Sequence, residues 1–154
     1  MELKDKIIVV TGAASGIGRA MAIRFKAEGA KQVVAVDINI DGAEATAELI
    51  GGVAMSADVS KEEDIQRVIE ATEETIGPID LFCSNAGVGM AESINSANKE
   101  WQMSWDINVM SHVYASRHLL PRMISRGGGY FLNTSSAAGL LNQIGGAAYG
   151  VTKH

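Results

Sequence analysis

The chain has 154 residues, of which 47% are hydrophobic and 20% charged, and a formal net charge of −5. That balance belongs to a soluble globular protein with room for one sizeable core. With no basic run and few aromatics it excludes nucleic acid as the expected partner, and no apolar stretch approaches the roughly 18–20 residues of a membrane span. Cys83 is the only cysteine, so no intrachain disulfide can form; its apolar surroundings predict a buried small side chain. Met1 to Lys6 are charged and lead directly into Ile7 without a signal-peptide core, so the expected location is cytoplasmic.

Short apolar runs alternate with amphipathic segments. Ile7 to Val10 reads as a buried strand and Ser15 to Glu28 as a helix. Val33 to Val36 is a second strand, Asp41 to Ile50 a helix, and Val53 to Ala57 a weaker third strand. Ser60 opens the next helix with a capping box closed by Glu63. Ile65, Val68, Ile69 and Ile76 form its apolar stripe, and Gly77-Pro78 ends it. Ile79 to Cys83 is the fourth strand, and a long helix spans Trp101 to Ser125, with a distortion expected near Pro121. After the turn Gly127-Gly128-Gly129 comes a fifth strand, Tyr130 to Asn133, and another helix starts near Ala148. This alternation predicts an α/β fold: a doubly wound parallel sheet, Rossmann-like, in three α/β/α layers. Residues 1–154 read as one dinucleotide-binding and catalytic domain. Ligands in such sheets bind beyond the strand C-termini, where the strand order reverses.

Thr11-Gly12-Ala13-Ala14-Ser15-Gly16-Ile17-Gly18 joins the first strand to the first helix. Glycines there let the backbone approach a pyrophosphate, and the helix N-terminus offers free N–H groups. The spacing is Gly-x-x-x-Gly-x-Gly rather than the commoner Gly-x-Gly-x-x-Gly, and an ordinary strand-to-helix turn is the plain alternative. Asp37 ends the second strand, where an acid can accept hydrogen bonds from a ribose and repel a 2′-phosphate. No Arg or Lys lies between Gly12 and Gly18, and Ile38 follows the acid, so NAD is favoured over NADP. Asp58-Val59 and Asn85-Ala86-Gly87 follow the third and fourth strands; alone, either is turn chemistry.

Tyr149 and Lys153 are four apart, on one helix face, where the lysine charge favours the phenolate. The pair recurs by chance and carries weight only with the other motifs. Taken in order, Thr11 to Gly18, Asp37, Asp58-Val59, Asn85-Ala86-Gly87, Asn108, Ser136 and Tyr149 with Lys153 resemble the NAD-dependent short-chain dehydrogenase/reductases, from Ile7 to His154. One departure is Ser84, where the family often has asparagine.

The resemblance implies the following roles. Gly12, Ser15, Gly16, Ile17 and Gly18 surround the pyrophosphate and adjoining ribose. Asp37 holds the adenosine ribose, with Ile38, Asp58 and Val59 at the adenine. Asn85, Ala86 and Gly87 line the cofactor cleft. Tyr149 is the acid/base, Lys153 lowers its pKa and holds the nicotinamide ribose, and Ser136 hydrogen-bonds the substrate oxygen. Ser136 is preferred to Ser135 because the family's serine stands thirteen residues before the tyrosine. Asn108, a poor helix former within a helix, holds a water that relays protons from Lys153.

The reaction implied is hydride transfer between NAD(H) and a secondary alcohol or ketone. Residues 88–92 and 139–144 are expected to form part of a moderately apolar pocket for a small-molecule substrate. Relatives continue beyond this point, so the chain is expected to be incomplete at its C-terminus and to form a homo-dimer or homo-tetramer at full length. The rival reading is a truncated NAD-binding module without turnover. His112, His118 and His154 lack metal-ligand spacing, and no metal is expected.

Overall fold

The structure is a computed structural model that describes residues 1–90, 93–141 and 145–154. Five parallel strands are named in chain order: β1 Ile7–Thr11, β2 Gln32–Asp37, β3 Val53–Ser56, β4 Leu81–Ser84 and β5 Tyr130–Asn133. Their order across the sheet is β3-β2-β1-β4-β5, so the winding reverses between β1 and β4. The helices are α1 Gly16–Ala27, α2 Ile40–Ile50, α3 Glu62–Thr75, α4 Asn98–Trp105, α5 Ser111–Ser125 and α6 Ala147–Lys153. This is the doubly wound, Rossmann-like sheet that the alternation of strands and helices predicts.

Successive strand residues face opposite sides, which explains the unbroken apolar runs. Val9, Val34, Val36 and Phe82 pack on one face with Ile65, Val68 and Ile69 of α3 and Ala115, Leu119 and Met123 of α5. Ile8, Val10, Val33, Ala35, Leu81 and Cys83 pack on the other with Ala22 of α1 and Ala43 and Ala47 of α2. Cys83 is fully buried, and burial pushes its thiol up to about 12, which keeps it protonated and inert.

Two expectations about helix ends are corrected. Ser60 forms no capping box: its hydroxyl donates to Asp58 Oδ1 at 2.6 Å, and α3 begins at Glu62 after Lys61. With the helix starting at Glu62, Lys61 holds the N-cap position and Ser60 stands one residue too early to cap it. The long helix begins at Asn98, and its irregularity falls at Asp106–Met110, a π turn, instead of at Pro121. Pro121 lies exposed within α5, which runs through it from Ser111 to Ser125. The π turn is centred on Asn108.

Charged clamps fix α3 to α5. Glu62 Oε2 accepts from Arg117 Nη1 at 2.6 Å and its Oε1 meets His118 Nε2 at 2.9 Å. Glu73 accepts from Arg126 at 2.5 Å and from Arg122 at 3.3 Å. Arg117 beside Glu62, followed by His118, holds that carboxyl below its usual range. Burial pushes the Glu73 carboxyl up, but hydrogen bonds from Arg126, the Ile79 N–H and Arg122 outweigh it and leave the group lowered from 4.5. Among the described residues, no helix is long and apolar enough to cross a membrane.

A carboxyl depressed in the folded state contributes stability above its unfolded pKa, and that contribution is lost as pH falls through the folded value. The urea midpoint is therefore expected to drop as pH falls below about 4.5, the ordinary value for Glu62 and Glu73. Glu73→Gln should lower the midpoint at neutral pH and flatten this acid limb. An acid limb as steep as wild type would contradict the role given to Glu73.

Candidate active site

The sequence motifs converge at the C-terminal edge of the sheet, over the reversal between β1 and β4. They line a cleft of about 780 Å³, within the range of small-molecule and cofactor sites. Gly12, Ser15, Gly16, Ile17 and Gly18 wall one part, with Asp37, Ile38, Asp58 and Val59 from the ends of β2 and β3. Asn85, Ala86 and Gly87 form the floor, and Tyr149 and Lys153 of α6 form another wall. Lys153 is the one Lys or Arg among the cleft-lining residues described.

The glycine turn is shaped by packing as well as by conformation. Gly16 has φ +52°, the left-handed region, and a Cβ there would point into open space. Gly18 is different: a Cβ would lie 2.1 Å from the Gly12 carbonyl oxygen, so α1 sits directly on the turn. Ser15 precedes α1 without capping it, and no acidic residue occupies the first turn. The first N–H groups of α1 thus have no capping side chain at the end where the helix dipole favours an anion. Arg19 braces the turn from below, its Nε donating to Thr46 Oγ1 at 3.0 Å and its Nη2 to the Ala14 carbonyl.

Asp37 has two roles in the geometry. Oδ2 accepts the Ala14 N–H at 2.9 Å and Oδ1 the Asn39 N–H at 3.0 Å, which ties the glycine turn to the end of β2. Each oxygen keeps a second lone pair for a ligand hydroxyl. Asp58 accepts from the Ser60 N–H at 3.1 Å and lies 3.5 Å from Lys61 Nζ.

A hydrogen-bond chain crosses the strand ends. Thr11 Oγ1 donates to the Cys83 carbonyl at 3.2 Å and accepts from the N–H groups of Asn85 and Ala86 at 3.0 and 3.1 Å. Asn85 Nδ2 donates to the Thr11 carbonyl at 3.1 Å, and Asn85 Oδ1 accepts from Thr134 Oγ1 at 3.0 Å. The Thr134 carbonyl then accepts from Lys153 Nζ at 3.1 Å. Lys153 Nζ stands 6.0 Å from the Tyr149 ring centroid, and burial lowers its pKa from 10.5. Gly87 clears this space, since a Cβ there would lie 3.2 Å from Asn108 Oδ1 and 3.4 Å from Lys153 Nζ.

Two residues assigned to the site from the sequence are not on the cleft wall. Asn108 is buried at 2% exposure, its amide bonded to Val88 and Thr152. Ser136 opens a short 3₁₀ turn, Ala137–Gly139, and its Oγ accepts the Ala138 N–H at 3.2 Å. Of the expected pocket loops, Val88, Gly89 and Met90 line the cleft, whereas 91–92 and 142–144 lie outside the described residues. Gly139 instead abuts the Lys153 backbone, and Leu140 and Leu141 are exposed. Thr134 and Thr152 were not singled out from the sequence; the clue available was a hydroxyl residue beside each motif, at the end of β5 and before Lys153. Among the described residues no group of three potential metal ligands occurs.

An open α/β crevice with a glycine turn, an acid at the second strand and a tyrosine–lysine pair defines a nucleotide-dependent enzyme class. The family model described as short chain dehydrogenase matches residues 6–154, and the chain belongs to that family. It is 39% identical to an uncharacterized oxidoreductase of Listeria monocytogenes over 160 residues, covering 99% of this chain and 64% of the relative. An NAD-dependent glycerol dehydrogenase of Listeria innocua is 32% identical, with 98% of this chain and 60% of that protein covered. Among solved structures, a short chain dehydrogenase/reductase from Burkholderia phymatum in complex with NAD superposes with a TM-score of 0.94 at 28% identity, covering 100% of this chain and 57% of that one. Levodione reductase gives 0.91 at 31% identity, with 98% and 62% covered. The chain thus spans less than two thirds of the length of these relatives.

The glycine turn supplies a direct test of this geometry. Gly18→Ala places a methyl against backbone that cannot yield, and overpacking of this kind costs about 1–3 kcal/mol in urea unfolding. Gly89→Ala, which meets nothing within 4 Å, should stay within about 0.5 kcal/mol of wild type. Equal losses for the two variants would contradict the tight seating of α1.

Proposed function

We propose that the protein is an oxidoreductase that moves a hydride between NAD(H) and a secondary alcohol or ketone, with Tyr149 as the acid/base. The observation that carries this reading is one continuous cleft, with the glycine turn and Asp37 in one wall and Tyr149 with Lys153 in another. The residues fit the dinucleotide. The open space at Gly16 and the uncapped first turn of α1 suit a pyrophosphate. Asp37 keeps acceptor capacity for a ribose, and among the described residues no cation beside Asp37 or Ile38 lines the cleft to receive a 2′-phosphate, which favours NAD. The complex of the Burkholderia relative with NAD supports the same choice.

When bound, the nicotinamide supplies or accepts the hydride. The protein then has to orient the substrate and move one proton. Tyr149 Oη gives that proton to the carbonyl oxygen in reduction and takes it from the hydroxyl in oxidation. The Lys153 ammonium, 6.0 Å from the Tyr149 ring centroid, stands beside the acid/base and reaches the nicotinamide ribose. Ser136 Oγ hydrogen-bonds the substrate oxygen once the 3₁₀ turn adjusts, and Asn108 holds a relay water beside Lys153. Residues 1–154 act as one dinucleotide-binding and catalytic unit in the cytoplasm. The exposed apolar stripe of α5, Val113, Leu120 and Ile124, is the surface through which copies would pair in a homo-dimer or homo-tetramer.

Tyr149→Phe, made in the full-length protein, should lower kcat by at least about 10²-fold, in line with removal of a general acid/base, while NADH still binds. A variant that keeps most of its rate would rule out Tyr149 as the acid/base.

A further inference from the structure

Asn108 is a tightly constrained polar side chain near the site. Its Oδ1 accepts the Val88 N–H at 2.9 Å, and Nδ2 donates to the Val88 carbonyl at 2.9 Å and to Thr152 Oγ1 at 2.9 Å. The orientation of the amide is fixed, because a main-chain N–H can only donate and must face the oxygen. Both amide protons are therefore committed. Thr152 Oγ1 has to accept from Asn108, and its own proton goes to the Tyr149 carbonyl at 3.2 Å. The hydroxyl is used in both directions. It links the π turn of residues 106–110 to the turn of α6 that carries Tyr149 and Lys153.

We infer that Thr152 is a positioning residue for the acid/base pair: its hydroxyl fastens α6 to Asn108 and so sets where Tyr149 and Lys153 stand. The inference rests on the reading of Tyr149 as the acid/base. Lys153 has a long, flexible stem, and among the described residues its ammonium has one hydrogen-bond partner, the Thr134 carbonyl. The position of Nζ relative to the phenol then follows from the backbone at residues 152 and 153. Without the hydroxyl, one buried Asn108 N–H loses its acceptor, and the two turns are free to separate. Among the described residues, His112 on α5 is a titratable group that feels the Lys153 charge: burial disfavours its charged form, with a smaller contribution from Lys153. His154 Nδ1 lies 2.6 Å from the Gly139 carbonyl.

The test compares Thr152→Val, which keeps the shape and removes the hydroxyl, with Thr152→Ser, which keeps the hydroxyl. Both are made in the full-length protein and assayed with NAD(H) and an alcohol–ketone pair that it turns over. Thr152→Val should lower kcat about tenfold while the KM for the alcohol stays within about twofold, because the acid/base pair is displaced and the binding cleft is not. NADH affinity should stay within about twofold, and Thr152→Ser should restore the rate. A valine variant that is merely less heat-stable, with the wild-type kcat, overturns the inference. So does a serine variant as impaired as valine. If Thr152→Val fails to bind NADH, Thr152→Ala takes its place with the same expected loss of kcat. Retained activity in Tyr149→Phe would sink the acid/base reading itself; a dead Tyr149→Phe beside a Thr152→Val with wild-type kcat sinks only the role of Thr152.

Discussion

The cleft depends on a stitched strand edge. At the reversal of a doubly wound sheet the loops after β1 and β4 must diverge, and divergence removes the ladder hydrogen bonds that held the strands in register. Thr11 replaces them. Its hydroxyl uses its proton on the Cys83 carbonyl and both lone pairs on the Asn85 and Ala86 N–H groups. Asn85 continues the stitch to Thr134, and the Thr134 carbonyl receives Lys153. The ammonium that the site needs is thus referenced, bond by bond, to the central strand. Removing a link would leave a polar group without its partner at the edge that has to remain open.

Contacts of the same kind hold α6 in place. Gly139 lies so close to the Lys153 carbonyl that no side chain fits between them. Asn108 holds Thr152, and Thr134 holds Lys153. Gly87 leaves open the space between Asn108 Oδ1 and Lys153 Nζ. These contacts seat the tyrosine–lysine pair on the cleft wall.

Much of this was legible in the sequence because it follows from local rules. The runs of Val and Ile in β1 and β2 required burial on both faces, and that implied a parallel sheet. Gly16 and Gly18 marked the turn, and Asp37 fell at a strand end. What was hidden depended on contacts distant along the chain. The irregularity of the long helix was expected at Pro121, the strongest local breaker, but α5 runs through that position. It fell at Asn108, whose amide is taken up by Val88 and Thr152, residues 20 and 44 positions away. The expected cap at Ser60 failed because α3 starts at Glu62, which puts Lys61 at the cap position and Ser60 one residue too early. Thr134 and Thr152 look like ordinary hydroxyl residues until the fold brings Asn85 and Asn108 to them.

The central claim is that the cleft holds NAD with its adenosine at Asp37. The most direct measurement is titration of the full-length protein with NADH and with NADPH, read by the fluorescence of the reduced nicotinamide. The account predicts saturable NADH binding at least about tenfold tighter than NADPH, because the proposed adenosine site puts Asp37 at the 2′ position, with no cation beside it among the described lining residues. Equal affinities, tighter NADPH binding or no binding of either would contradict it.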